Sequence, residues 1–254
     1  MPNYVRNRII MKDIGKIYPE YFDFNEFVPT PDCIEKTIID VFVADDSDER
    51  KAKKVSTSIF NDNDVMDLIY KEIRNCRDPM DLTSYANIYD LVEKYTLTMY
   101  KEDPPSIKMV LETLANIIHC FISTGCTNWY EWSNAYWGTK WNSRGFERID
   151  NDTIQFDTAW SIPVPVFRKF FEKYKDREIE IWFADEGIPE NSGHIYKEKG
   201  SIDFHIDWLN SDEEYRTCIL NTWGEELSDD DVDDITDLDT AKDTKNNIRT
   251  NYYY

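Results

Sequence analysis

Lys140 lies beside two indoles in Trp137-Gly-Thr-Lys-Trp-Asn142, and a third follows in Phe156-Asp-Thr-Ala-Trp-Ser-Ile-Pro163. Two readings of this string are open. The ammonium can hold a phosphate while a base stacks on an indole, and each stacked base contributes about 1–3 kcal/mol. Alternatively the indoles are core, and the lysine runs its methylene stem past them to solvent. The candidate binding set is Trp137, Lys140, Trp141, Asn142, Thr158 and Trp160. Ser161 lacks a Gly-x-Ser-x-Gly context and has no histidine close in sequence, which argues against a nucleophile. His194 and His205 fall on strands expected to be neighbours. With Asp203 or Asp207 they could make a metal or acid–base pair, although a surface or core histidine is the commoner case. Arg6 and Arg8 are expected to pair with acids rather than face phosphate. No catalytic residue, metal site or cofactor is assigned.

Charge supplies the second candidate chemistry. The 254 residues carry 29 basic and 50 acidic side chains, a formal net charge of -21. A surface of this sign keeps a protein soluble, repels phosphate backbones and attracts basic surfaces. The candidate acidic surface comprises Asp45, Asp46, Asp48, Glu49, Asp62 and Asp64 in the first half, with Asp229, Asp230, Asp231, Asp233 and Asp234 near the end. Acids spaced along rigid helices can occupy a groove built for a nucleic-acid backbone. The helices at 45–103 suit this better than a floppy tail, because preorganisation lowers the cost of binding.

These groups need elements to position them. Tyr4 to Met11 alternates as a first strand, with Val5, Ile9 and Met11 on one side and Arg6 and Arg8 on the other. Residues 34–123 read as largely helical: Ile34, Ile38, Ile39 and Phe42 have helical spacing, and so do Val65, Leu68, Ile69 and Ile73, capped by Asn63 or Asp64. Asp45 to Lys54 reads as an exposed loop or solvated helix end. Ile107 to Ser123 is a buried helix that Gly125 ends. Asn128 caps a short helix over Trp129–Tyr136. Strands are expected at Thr153–Thr158 and Arg177–Ala184, with a helix opened by Pro163 and Pro165 between them. Gly193–Lys197 and Ser201–Trp208 read as a hairpin turning at Lys199-Gly200.

This order implies an α+β protein, a ferredoxin-like antiparallel sheet with helices on one face and a large helical insertion. The expected division is a first strand and extended segment at 1–33, the insertion at 34–127, the rest of the core at 128–224, and an acidic disordered tail at 225–254. The five cysteines are scattered, without Cys-x-x-Cys spacing, and fit reduced thiols in cytoplasm. The first residues show no signal peptide, and no apolar run approaches the ~20 residues of a membrane span.

The strings Asn3-Tyr-Val-Arg-Asn-Arg-Ile, Phe24 to Pro31, Trp132-x-x-x-x-Trp137-Gly-Thr-Lys-Trp-Asn142 and Phe156-x-Thr-Ala-Trp-Ser161 resemble the YubB-type ferredoxin-like family of plasmids and phages. The resemblance implies a ferredoxin-like fold without an iron–sulfur cluster and an accessory gene of a mobile element. It transfers no catalytic residue and leaves 34–123 and the tail unexplained. The expectation is therefore a non-catalytic phage or plasmid protein in a bacterial cytoplasm. It would inhibit a host nucleic-acid-handling or defence protein through an acidic, DNA-mimicking surface. The alternatives are a nucleic-acid-binding module using the open sheet face and the tryptophan loop, and an enzyme acting on nucleotides or RNA.

Overall fold

The computed structural model describes residues 3–37, 46–73, 82, 86–187, 191–209 and 211–228. The chain forms two compact units, residues 1–29 with 133–254, and residues 30–132.

The first unit is built on a six-stranded sheet, antiparallel throughout, in the order β2-β3-β1-β4-β5-β6. The strands are β1 (Tyr4–Ile10), β2 (Arg144–Arg148), β3 (Thr153–Ala159), β4 (Ile179–Asp185), β5 (Gly193–Lys197) and β6 (His205–Trp208). The segment β2-β3-β1-β4, with α8 (Val164–Lys173) joining β3 to β4, has the strand order of a β-α-β-β-α-β ferredoxin-like layer. β5 and β6 extend it beyond β4. The α+β, ferredoxin-like expectation therefore holds.

Alternation fixes the two faces. Val5, Ile9, Phe156, Ile181 and Phe183 are wholly buried. With Phe22, Phe24, Phe170 and Phe171 they form an aromatic core under α8, in which Phe22 stacks on Phe156 at 4.9 Å and meets Phe170 edge-on at 5.5 Å. Asn7 interrupts this face. Its Nδ2 donates to Val5 O and Thr158 Oγ1, at 2.9 and 3.0 Å, while its Oδ1 is buried without a partner. The opposite face carries Arg6, Arg8, Asp157 and Trp182. Over β4 and β1 it is covered by α9 (Asp212–Thr222), through Ala184, Tyr215, Cys218 and Ile219. So a helix also lies on the second face.

Two sequence expectations in this unit need correction. β2 was read as no element at all: Arg-Gly-Phe-Glu-Arg is an edge strand with only Phe146 half-buried, so it shows no apolar alternation. The β5–β6 connection is not a tight turn at Lys199-Gly200. Tyr196 pairs with His205, which leaves residues 198–204 as the loop.

The second unit contains α2 (Asp32–Glu35), α3 (Asp48–Phe60), α4 (Asn63–Ile73), α5 (Ala86–Met99), α6 (Ile107–Thr124) and the first half of α7 (Trp129–Tyr136). Its core joins Ala52, Val55 and Ile59 of α3 to Met66 and Ile69 of α4, Ile88 and Val92 of α5, and Val110, Leu111, Leu114 and Ile118 of α6. Of the two readings of the stretch Asp45 to Lys54, the helix end is the one found: Asp48 and Glu49 are the exposed start of α3, and the helix buries one face from Lys51 onward. Its charges hid the Lys51, Ala52, Val55, Ile59 face, and Ser47 caps it through Arg50 N. The α4 cap is Asp62, whose Oδ1 accepts from Val65 N at 3.2 Å, rather than Asn63 or Asp64. Gly125, at φ 76°, ends α6 as expected, and Asn128 Oδ1 accepts from Tyr130 N and Glu131 N. By length and composition alone, the helical run 107–136 passes for a membrane span, contrary to expectation. The buried α6 stripe is nevertheless the packing of a core helix. Ile38, Ile39 and Phe42 lie outside the described residues.

Candidate binding surfaces

The structure divides the tryptophan-loop residues into two sets. Trp137 is core: 8% exposed, it donates from Nε1 to Val28 O at 2.9 Å and meets Phe24 edge-on at 5.8 Å. Asn142 is a clip. Its Oδ1 accepts from Phe24 N at 2.9 Å, and its Nδ2 donates to Asp23 Oδ1 at 2.7 Å. Thr158 is wholly buried and bonded to Asn7 and Val5 O. These three position the loop and are not available to a ligand. The core reading was therefore right for them.

Lys140, Trp141 and Trp160 do come together. The Lys140 ammonium stands 4.7 Å from the Trp141 ring and 4.8 Å from the Trp160 ring. Arg144, which the sequence reading missed, places its guanidinium 4.4 Å from the Trp141 ring. The result is a ladder in which cations and indoles alternate: Arg144, Trp141, Lys140, Trp160. Arg144 was missed because it belongs to the unrecognised edge strand β2.

The second sheet face is not an open cationic platform. Arg6 bonds Asp157 at 3.0 Å and stacks over Trp223 at 4.0 Å. Arg8 donates to Gln155 Oε1 at 3.0 Å, and Gln155 in turn donates to Glu147. The pairing with an acid expected of both arginines is made by Arg6; Arg8 bonds the Gln155 amide and the Thr222 carbonyl instead. The two histidines do not face each other: His194 lies opposite Asp207, and His205 opposite Tyr196. His194 instead stacks on Trp182 at 4.2 Å, and its Nε2 is 3.0 Å from Glu180 Oε1, which also accepts from Trp182 Nε1 at 2.8 Å. Among the described residues no three metal-binding side chains converge.

The acids divide similarly. Asp46, Asp48, Glu49 and Asp64 are exposed, whereas half-buried Asp62 is committed to its cap. Asp48 and Glu49 sit in the first turn of α3, where the helix dipole favours negative charge. Lys51 bonds Asp103, and the charges of Asp103, Asp48 and Asp46 together push its pKa up. Asp45, Asp229, Asp230, Asp231, Asp233 and Asp234 lie outside the described residues.

The helical unit also holds a cavity of about 760 Å³ between α3 and α6, lined by Glu49, Lys53, Phe60, Glu112, Asn116 and His119 among others. Burial pushes the Lys53 pKa down, and its Nζ donates to Thr37 O at 2.8 Å. No motif in the sequence announced it, because its lining comes from α3, α6 and the segments around Thr37 and Asn128, which are far apart in the chain.

Residues 136–238 match the family model described as the ferredoxin-like domain in Api92-like protein. The matched span runs from β2 through α9 and leaves out β1 and the helical unit. It agrees with the ferredoxin-like part of the resemblance and names Api92-like rather than YubB-type proteins. No curated protein matches the chain. A solved structure, protein api92 from Yersinia pseudotuberculosis, is 10% identical, with a TM-score of 0.35 over 83% of this chain and 100% of that one. So distant a likeness carries no argument about function.

Proposed function

We propose that the chain is a non-catalytic accessory protein of a phage or plasmid, which binds a basic surface on a host nucleic-acid-handling or defence protein and blocks it. The observation that carries this reading is the net charge of -21, part of which stands on the exposed side chains of Asp46, Asp48, Glu49 and Asp64. α3 itself carries Arg50, Lys51, Lys53 and Lys54 against Asp48 and Glu49, so the surplus negative charge belongs to the chain as a whole and not to this helix. A partner built for phosphates would release its own counterions on meeting this surface, as it does on binding nucleic acid. The assignment to a mobile element rests on the resemblance of the tryptophan strings alone.

The test is capture from bacterial lysate by the full chain, followed by elution with duplex DNA. A mimic gives up its partner to DNA, and reversing Asp46, Asp48 and Asp103 to lysine abolishes capture. If the protein itself shifts labelled DNA or RNA tightly at about 0.15 M salt, where exposed charges are screened beyond ~8 Å, the reading fails.

A further inference from the structure

We infer that the Arg144–Trp141–Lys140–Trp160 ladder is a second, separate binding site, for a small anion carrying a flat ring, of the nucleoside monophosphate class. Three observations converge on it. The first is backbone strain. Trp160 has φ 65°, in the left-handed region that a bulky residue rarely adopts. Its own bonds hold it there: Trp160 N donates to Asn3 O and Asn191 Nδ2 donates to Trp160 O, both at 2.9 Å. Its neighbours are clamped as well, Ala159 by Thr139 at 2.9 Å and Ser161 by Gly138 O at 2.5 Å. Core packing does not account for such a conformation, since the indole is 41% exposed. Strain kept in place by surrounding bonds is a recurrent property of ligand clamps.

The second observation is an unmet donor. Trp141 Nε1 is buried without a hydrogen-bond partner. An orphaned buried N–H costs about 1–3 kcal/mol, and a small movement of the loop would bring it to a ligand acceptor at the indole edge. The third is the pattern of charge. Arg144 is exposed and pairs with no carboxylate among the described residues. Its planar guanidinium can grip phosphate through two parallel bonds. Beside it, the partly exposed Trp160 ring offers a face for a base.

Net charge sets the size of the ligand. On a chain of -21, every added phosphate of a polymer meets repulsion from acids within a Debye length of about 8 Å. A mononucleotide incurs this once and keeps the whole stacking contact.

The test is calorimetric titration of the full chain with adenosine 5′-monophosphate, adenosine, inorganic phosphate and a ten-residue oligodeoxyadenylate, with the indole N–H resonances followed in parallel. The monophosphate should bind at least about tenfold tighter than adenosine or phosphate alone, and the Trp141 N–H resonance should move. Trp160→Gly suits the backbone angle, so it should keep the melting temperature within about 4 °C while weakening the monophosphate about 5- to 150-fold. Arg144→Gln should weaken the monophosphate and leave adenosine unchanged. The inference is overturned if phosphate binds as tightly as the monophosphate, if Trp160→Gly binds like the parent, or if the oligonucleotide binds tighter than the monophosphate. None of these outcomes bears on the acidic surface.

Discussion

Replacing Lys197 by methionine should destabilise the sheet unit by about 2 kcal/mol. Lys197 ends β5, is fully buried, and donates from Nζ to Tyr174 O, Lys175 O and Arg177 O at 2.9, 3.0 and 2.5 Å. These carbonyls belong to the turn after α8, where a helix ends in unsatisfied acceptors and favours a cation. Methionine keeps the stem and removes the donors. Tyr174 O still accepts from Arg177 N at 3.0 Å, and Lys175 O from Gly200 N at 2.8 Å. Arg177 O alone is orphaned, which costs about 1–3 kcal/mol. The weakening of the other two acceptors adds to this, and relief of the ammonium's desolvation offsets part of it. Urea denaturation of parent and variant measures the difference. Burial pushes the Lys197 pKa below 10.5, with Asp176 pulling it back up. Between the folded value and 10.5 the folded chain binds fewer protons than the unfolded one, so this amine's contribution to stability rises with pH there. The difference between parent and variant should therefore widen in that window. A variant as stable as the parent at pH 7 would refute the reasoning, because it would show that the bonds only balance the burial penalty.

Other perturbations test the positioning elements. Burial raises the Cys218 thiol from 9.0 to about 12. Since the unfolded thiol ionises first, stability should fall by about 1.4 kcal/mol per pH unit between those values, and Cys218→Ala should flatten a urea-midpoint profile there. Trp137→Ala should cost about 3–5 kcal/mol in the same assay, because its indole is buried against Phe24. Gly138→Ala should lose more than about 1 kcal/mol: φ is +80°, and a Cβ would meet Pro165 Cδ at 2.7 Å. Asp62→Ala removes the α4 cap and should cost about 1 kcal/mol, read as a lower thermal midpoint.

Where alternation or helical spacing is strong, the sequence was legible. β1 shows Val5, Ile9 and Met11 inward, and α6 buries its stripe as read. The method fails where the signal is carried by something other than apolar periodicity. β2 is an edge strand without apolar alternation, so Arg144 escaped notice and the cation–indole ladder was half seen. In α3 the charges along one side masked a buried face only a few residues wide. The binding string mixed two kinds of tryptophan, and composition cannot separate them. Trp137 and Trp141 differ only in which way a turn at Gly138 directs them. The contacts of Asn142 with Asp23 and Phe24 join positions more than a hundred residues apart, and no local pattern records them.

Several of the 29 bases are committed to contacts within the fold. Arg6 is tied to Asp157 and Trp223. Arg177 donates to Lys12 O, Lys53 to Thr37 O, and Lys197 to three carbonyls. Lys173 lies over the rings of Tyr18, Phe27 and Tyr174 at 5.9, 5.1 and 5.5 Å, and bonds Glu26 at 3.2 Å. These cations fasten elements to one another. Exposed carboxylates such as Asp48, Glu49 and Asp64 stand on helix ends in water. The ladder at Arg144 departs from this pattern, since a guanidinium stacked only on an indole leaves its edge donors open to an incoming anion.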